Sequence, residues 1–378
     1  MNIILRLIIS IIDVIFIYKN KKKIVIPCTI DSEWQGNCAF LFKHLILSTD
    51  FNVIVLCSKK SSLFKNTDTK NNAIYIYSVR GLWHLLTSSI VIYHHGPLAG
   101  RIPLLPFNRL NLQINHGIHY KKVELALSPS SKEYKNKSII KTKWFCKKHT
   151  VSSHIDALSC CTYYHVNLYD VHITGIARND IFFHENQNVL PSSVIDDFIK
   201  IKNIIKDKKV ILYAPTWRNV GGAYPFIDDE VNVLNNFLRE NNYIFFYAGH
   251  PYLKDRKVPT SDYVVDYNIF NDIQSILYFT DVLITDYSSI WIDFLLKEKP
   301  IINFQFDIDE YKDDRGFLFN VNSIFPGETV YTFNDLIATL INLKFNENKY
   351  KFVKDLFHEF HDGQNCQRIE NIIKNIKS

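Results

Sequence analysis

Short apolar runs rich in β-branched and aromatic residues recur along this chain, and segments of helical spacing separate them. KIVIPCT (Lys23–Thr29), NVIVLC (Asn52–Cys57), AIYIY (Ala73–Tyr77), IVIY (Ile90–Tyr93) and Leu112–Ile114 form a first series. KVILYA (Lys209–Ala214), YIFFYA (Tyr243–Ala248), DVLIT (Asp281–Thr285) and PIINF (Pro300–Phe304) form a second. Runs that are apolar throughout are strands buried on both faces, and strands alternating with helices build parallel sheets. Asn37–Leu47 has the spacing of one such helix. The polar stretch His184–Asp196, which contains Pro191, separates the two series and is read as the boundary. The expected fold is α/β, with two doubly wound, Rossmann-like domains over 23–185 and 196–378 facing a cleft. An amphipathic helix over 1–22 precedes them.

Length and composition agree with two cores. The 378 residues suffice for two domains of ordinary size. Hydrophobic residues at 47% and charged residues at 22% exclude a disordered chain. A net charge of +6 is a mild bias toward anionic partners and far below the basic density of a nucleic-acid binder, so no nucleic-acid partner is expected. The seven cysteines form no CxxC pair, and Cys160 and Cys161 are adjacent, which reads as reduced thiols in a cytosolic setting.

Ile3 to Tyr18 are nearly all apolar, and Lys19, Lys21, Lys22 and Lys23 follow. A bilayer-spanning helix needs about 20 apolar residues, and this stretch is shorter. Arg6, Ser10 and Asp13 fall on one helical face, leaving a wide apolar arc, which is the pattern of an interfacial helix. The lysines suit anionic headgroups. A core-packed first helix is the first alternative, and a transmembrane span or signal peptide is the next.

In doubly wound sheets, ligands bind beyond the carboxyl ends of the strands, and four such ends here carry chemistry-bearing residues. QINHGIHYKK (Gln113–Lys122) presents His116, an imidazole suited to take a proton near neutrality, with Gly117 permitting a close turn. YAPTWR (Tyr213–Arg218) offers the Thr216 hydroxyl and the Arg218 guanidinium fork, both matched to phosphate. GHPY (Gly249–Tyr252) places His250 after a very apolar strand. TDYSSIWIDF (Thr285–Phe294) puts Asp286, Ser288 and Ser289 where a helix begins, a setting that favours anions. Each of these also reads as an ordinary turn, junction or cap. P-loop, dinucleotide, HExxH and GxSxG patterns are absent from the sequence. His94-His95-Gly96 has no acidic or cysteine partners near it in sequence, so no metal or cofactor is implied.

Taken in order, QINHGIHYKK, ITGIARND (Ile173–Asp180), YAPTWR, GHPY, DVLITDYSSIWIDF, DDRGF and Phe325-Pro326-Gly327-Glu328 resemble the CDP-glycerol glycerophosphotransferase family of teichoic-acid primases and polymerases. WQGNCAFLFKHL (Trp34–Leu45) resembles that family's Gly-Asn helix start. The resemblance runs from about Ile24 to Leu340 and implies a GT-B fold. It implies transfer of glycerol phosphate from CDP-glycerol to a lipid-linked glycan or polymer end, with release of CMP. It further implies a peripheral place at the cytoplasmic face of the membrane, in wall or capsule polymer synthesis. By the same resemblance His116 is the general base and His250 stands against the donor phosphates. Arg178, Thr216, Arg218, Thr285, Asp286, Ser288, Ser289 and Arg315 bind substrate. Three positions depart from the family's usual pattern: Asn115 in place of Trp, Ala177 in place of Pro, and Ile118-His119 in place of Thr-Pro. All three lie on the acceptor side. CDP-ribitol as donor, a GT-B glycosyltransferase using a nucleotide sugar, and a non-enzymatic scaffold subunit are the alternatives.

Overall fold

A computed structural model describes residues 8, 11–15, 19–28, 34–48, 50–94, 109–131, 134–135, 148–184, 187–216, 224, 226–249, 261–308 and 316–375. The chain divides into two compact units. The first comprises Met1–Ser192 and Phe357–Ser378, the second Ser193–Leu356. The carboxyl-terminal segment therefore returns to the first unit, whereas the sequence reading assigns it to the second.

The first unit holds a seven-stranded parallel sheet. Its strands are β1 (Asn20–Cys28), β2 (Asn52–Cys57), β3 (Ala73–Tyr75), β4 (Ser88–Tyr93), β5 (Leu110–Gln113), β6 (Lys148–Val151) and β7 (Val171–Ile173), in the order β3-β2-β1-β4-β5-β6-β7. Helices α1 (Asn37–Leu47), α2 (Val79–Thr87) and α3 (His154–Tyr164) cross between strands. Ile24, Val25, Val55, Leu56, Ile90 and Val91 are fully buried, as strands covered on both faces require.

The second unit repeats the plan with six parallel strands. These are β8 (Lys209–Ala214), β9 (Tyr243–Tyr247), β10 (Val264–Asp266), β11 (Val282–Thr285), β12 (Ile301–Phe304) and β13 (Glu328–Val330), in the order β10-β9-β8-β11-β12-β13. Tyr213, Phe245, Tyr247 and Phe304 pack against Leu234 and Leu238 of α4 (Asp228–Glu240). Each such buried side chain contributes roughly 1.5–3 kcal/mol. Both sheets reverse direction of growth once, between β1 and β4 in the first and between β8 and β11 in the second. These are the topological switch points at which doubly wound sheets bind ligands.

The amino terminus differs from the expected arrangement. Ile8 and residues 11–15 are helical, but Asp13 turns inward and is buried. It pairs with Lys19 at 2.8 Å and with Arg109. Both cations also donate to the carboxyl-terminal carbonyls of α2, Lys19 to Leu86 at 2.6 Å and Arg109 to Leu85 at 3.2 Å. A buried carboxylate is stable only when paired in this way. Ile8, Ile11, Ile12, Val14 and Ile15 are exposed. Strand β1 begins at Asn20, so Lys21, Lys22 and Lys23 belong to a strand and Lys19 precedes it. Lys23 is buried on the Thr87 hydroxyl, and Lys21 and Lys22 are left exposed. Arg6 and Ser10 lie outside the described residues. Among those residues no helix is long and apolar enough to cross a membrane.

Candidate active site

In the first unit, His116 stands exposed on the turn that follows β5, and the residues on both sides of it are buried. The left-handed residue of this turn is Asn115 (φ 50), not Gly117. Asparagine tolerates that conformation because its short side chain can bond locally. Here Asn115 Nδ2 donates to Thr150 O at 3.0 Å, and its Oδ1 accepts from Gln113 Nε2 at 3.0 Å. The Asn115 carbonyl in turn accepts Asn37 Nδ2 at 2.7 Å. On the far side of His116, the backbone N–H and ring Nδ1 of His119 both meet Asp156 Oδ1, at 2.9 and 2.8 Å. The His116 carbonyl accepts from the Arg178 guanidinium. The His94 ring lies edge-on to that of His116, with centroids 6.4 Å apart.

Arg178 is held from two directions. Its backbone N–H donates to Asn37 Oδ1 at 3.1 Å. Asn37 opens α1 just after Gly36, whose φ of 61 is the left-handed value that glycine adopts freely. The Arg178 side chain runs across Gly36, and an added Cβ there would sit 3.4 Å from Arg178 Cδ. Two residues on, Asp180 accepts the first amides of the terminal helix α5 (Asn365–Asn375), Asn365 N and Cys366 N, each at 2.9 Å. Burial pushes the Asp180 carboxyl up, and these two amides pull it back. Gly175 (φ 80) leaves room for Asn365, whose Oδ1 would lie 2.0 Å from a Cβ at that position. The returning carboxyl terminus thus fixes the turn that carries Arg178.

In the second unit, the β8 and β11 ends meet at the switch point. The Thr285 hydroxyl is buried and donates to Ala214 O at 2.7 Å. Asp286 is buried and accepts Thr216 N at 2.8 Å. Both are ties across the switch point. Ser288 and Ser289 are half-buried beside them. Ser289 precedes the short helix Ile290–Phe294 without a side-chain cap bond, and Ser288 Oγ accepts Ile290 N at 3.4 Å. A cavity of about 180 Å³ opens here, lined by Ala214, Pro215, Ala248, Gly249, Tyr267, Ile273, Ser288 and Ile290. Its lining is mostly apolar and includes the hydroxyl residues Ser288 and Tyr267, a composition that suits a planar ring with a few polar substituents. His250, Arg218 and Arg315 lie outside the described residues.

Sequence reasoning on the candidate site passed over Asn37, His119 and Asp156. Asn37 was visible only as part of a resembling helix start. Asp156 follows Ser153 at the third helical position, a pattern that signals capping and nothing more. Ser153 does cap α3, and Asp156 additionally reaches a loop 37 residues away.

The sequence profile described as CDP-Glycerol:Poly(glycerophosphate) glycerophosphotransferase matches residues 10–375. A teichoic acid poly(glycerol phosphate) polymerase of Bacillus spizizenii is 27% identical over 93% of this chain and 91% of its own. A teichoic acid poly(ribitol-phosphate) polymerase of the same organism is 32% identical over 66% of this chain, a match spanning 39% of that relative's length. Among solved structures, the wall teichoic acid polymerase TagF superposes with a TM-score of 0.77 at 19% identity, covering 98% of this chain and 93% of its own. That likeness fixes the fold as GT-B-like.

Proposed function

The chain belongs to the CDP-glycerol:poly(glycerophosphate) glycerophosphotransferase family, and from that premise we propose that it transfers a polyol phosphate from a CDP-alcohol to a hydroxyl acceptor. The donor in this reading is CDP-glycerol, and the acceptor is a membrane lipid-linked glycan or the end of a polyol-phosphate polymer. What supports it is one distinctive strand end within each unit. An exposed histidine stands on a pinned turn in one unit, and a small apolar cavity opens at the switch point of the other.

The chemistry follows from those residues. The acceptor oxygen attacks the β-phosphorus of the donor. The new O–P bond forms as the bridging Pα–O–Pβ bond breaks, and CMP leaves with the electron pair. The acceptor proton passes to the neutral imidazole of His116, the general-base step, typically worth about 10²–10⁴-fold. The cavity lined by Ala214, Gly249 and Tyr267 takes the cytosine ring. Ser288, Ser289 and the Thr216 hydroxyl face the diphosphate in this reading. His250, Arg218 and Arg315 add donors and positive charge where negative charge develops on the phosphoryl oxygens.

A second reading keeps this chemistry with CDP-ribitol, favoured by the ribitol-phosphate polymerase at 32% identity. One additional CHOH changes the length of the polyol and leaves the nucleotide and both phosphates unaltered.

Attachment to the cytoplasmic face of the membrane completes the reading. The exposed Ile8, Ile11, Ile12 and Ile15, with Lys21 and Lys22 nearby in sequence, support contact with anionic lipid. Helix α2, whose end is tied to the same Asp13 cluster, adds exposed Val79 and Trp83.

The decisive assay is nucleotide release from CDP-glycerol, CDP-ribitol and a panel of UDP-sugars, with a bacterial membrane lipid extract as acceptor. CMP from one CDP-alcohol is the expected result and identifies the donor. UDP release, or silence with both CDP-alcohols, overturns the proposal.

A further inference from the structure

We propose that His119 and Asp156 form a positioning pair that sets the direction in which His116 is presented. The inference rests on the reading of His116 as the general base, and it adds two residues that never touch the reacting atoms.

Three observations carry it. First, the turn is clamped on both sides of a single exposed residue. Upstream, Asn115 is fixed by Asn37, Gln113 and Thr150. Downstream, Asp156 bonds the loop that leaves the turn, through the backbone and ring of His119 together. Second, Asp156 is itself immobile. It is wholly buried, its Oδ2 accepts Ser152 N at 2.9 Å, and it sits in the first turn of α3, where the helix dipole favours a negative charge. Third, the His119 ring is packed against Tyr163 and Tyr164, with centroids 4.6 and 5.7 Å away and both contacts edge-on. Tyr163 in turn bonds the Lys121 carbonyl. The ring cannot rotate away without losing these contacts.

The bond geometry also fixes the tautomer. Nδ1 faces a carboxylate oxygen, so Nδ1–H donates, while Nε2 is buried with no hydrogen-bonding partner among the described residues. What His119 supplies is one N–H at the Nδ1 position. Asparagine carries its amide Nδ2 at nearly the same place, glutamine carries its amide one bond further out, and leucine has none. A role in positioning therefore ranks the variants differently from a role in packing, which prefers apolar bulk.

The test measures CMP release from CDP-glycerol and CDP-ribitol, with the membrane lipid extract as acceptor, for His119→Asn, His119→Gln, His119→Leu and Asp156→Asn. His116→Ala runs in parallel, and thermal melting is recorded for every protein. His119→Asn is expected to stay within about threefold of the parent. Leu and Gln at 119, and Asp156→Asn, are expected to lose kcat by roughly 10–10²-fold, the scale of a sub-ångström to 1 Å misplacement. KM for the donor should not change, because the donor residues belong to another unit. If His119→Leu fails to fold, the Asn and Gln variants decide: equal activity in the two overturns the proposal. Loss of turnover in His116→Ala alongside parental kcat in every position-119 variant overturns this inference alone. Full turnover in His116→Ala overturns the underlying reading, and the pair with it.

Discussion

The two strand-end turns are held in opposite ways. In the first unit, the turn around His116 is fixed by side chains from distant segments. Asn37 is 78 residues from the carbonyl it holds, and Asp156 is 37 residues from His119. In the second unit, the turn after β11 is tied to the neighbouring strand end by its own leading residues, Thr285 to Ala214 and Asp286 to Thr216. The first motif therefore uses the neighbours of His116 as support and leaves its side chain exposed. The second places buried ties and half-buried hydroxyls side by side in one run of letters. A motif match names both kinds of residue without telling them apart, and burial separates them. His116 is exposed, Thr285 and Asp286 are buried, and Ser288 and Ser289 lie between.

The sharpest way to break this contrast is His116→Ala. Its side chain is exposed, so the substitution should leave the melting temperature within about 1 °C of the parent. Turnover, measured as CMP release, should fall by about 10²–10⁴-fold. A large drop in melting temperature would mean that the imidazole supports the fold and would erase the distinction between the turns. Asp286→Ala should behave in the reverse sense. It leaves the buried Tyr287 amide and the half-buried Thr216 amide short of an acceptor, at about 1–3 kcal/mol for the buried one and less for the other. Denaturant unfolding should register that loss directly. Parental stability with reduced donor binding would instead make Asp286 a ligand-facing group.

Much of this architecture was legible from the sequence because fully buried parallel strands announce themselves. NVIVLC, KVILYA and YIFFYA are apolar on both faces, and each forms the strand its pattern predicts. The strands that went unread are short or polar. Lys148–Val151 reads KHTV and is buried through His149 and Thr150. Val264–Asp266 and Glu328–Val330 are three-residue edges with no periodicity to detect. The return of the tail was hidden for a different reason. Helix α5 buries Cys366, Ile369 and Ile373, but which unit it joins depends on Asp180 and on Glu370 meeting partners far away in sequence. Such pairings carry no local signal. At the amino-terminal stretch the helical period was visible, but the carboxylate at Asp13 marks the buried side, because Lys19 and Arg109 supply the compensating charge.

The smallest of the expected effects concerns that same tail and extends the contrast to its long-range supports. Glu370 is buried between α1 and its own helix. Burial pushes its carboxyl up, but bonds from Ser48, Lys374 and His44 outweigh it and hold the pKa at about 2, below the usual value of 4.5. A carboxyl whose folded pKa is depressed stabilises the fold fully above its unfolded value. That contribution is lost as the pH falls through the folded value, so the window here runs from about 4.5 down to about 2. Glu370→Gln removes the charge at every pH and should cost roughly 1.5–3 kcal/mol at pH 7, the range for a hydrogen bond to a charged group. The variant should also lose the steep part of the parent's acid unfolding in that window. Because Glu370 ties the tail to α1 while Asp180 ties it to the Arg178 turn, hydrogen exchange in the Glu370→Gln protein should rise first in residues 365–375. If exchange there stays at the parental rate, the tail is held by Asp180 and Asn365 alone, and the Arg178 turn does not depend on the helix's second anchor.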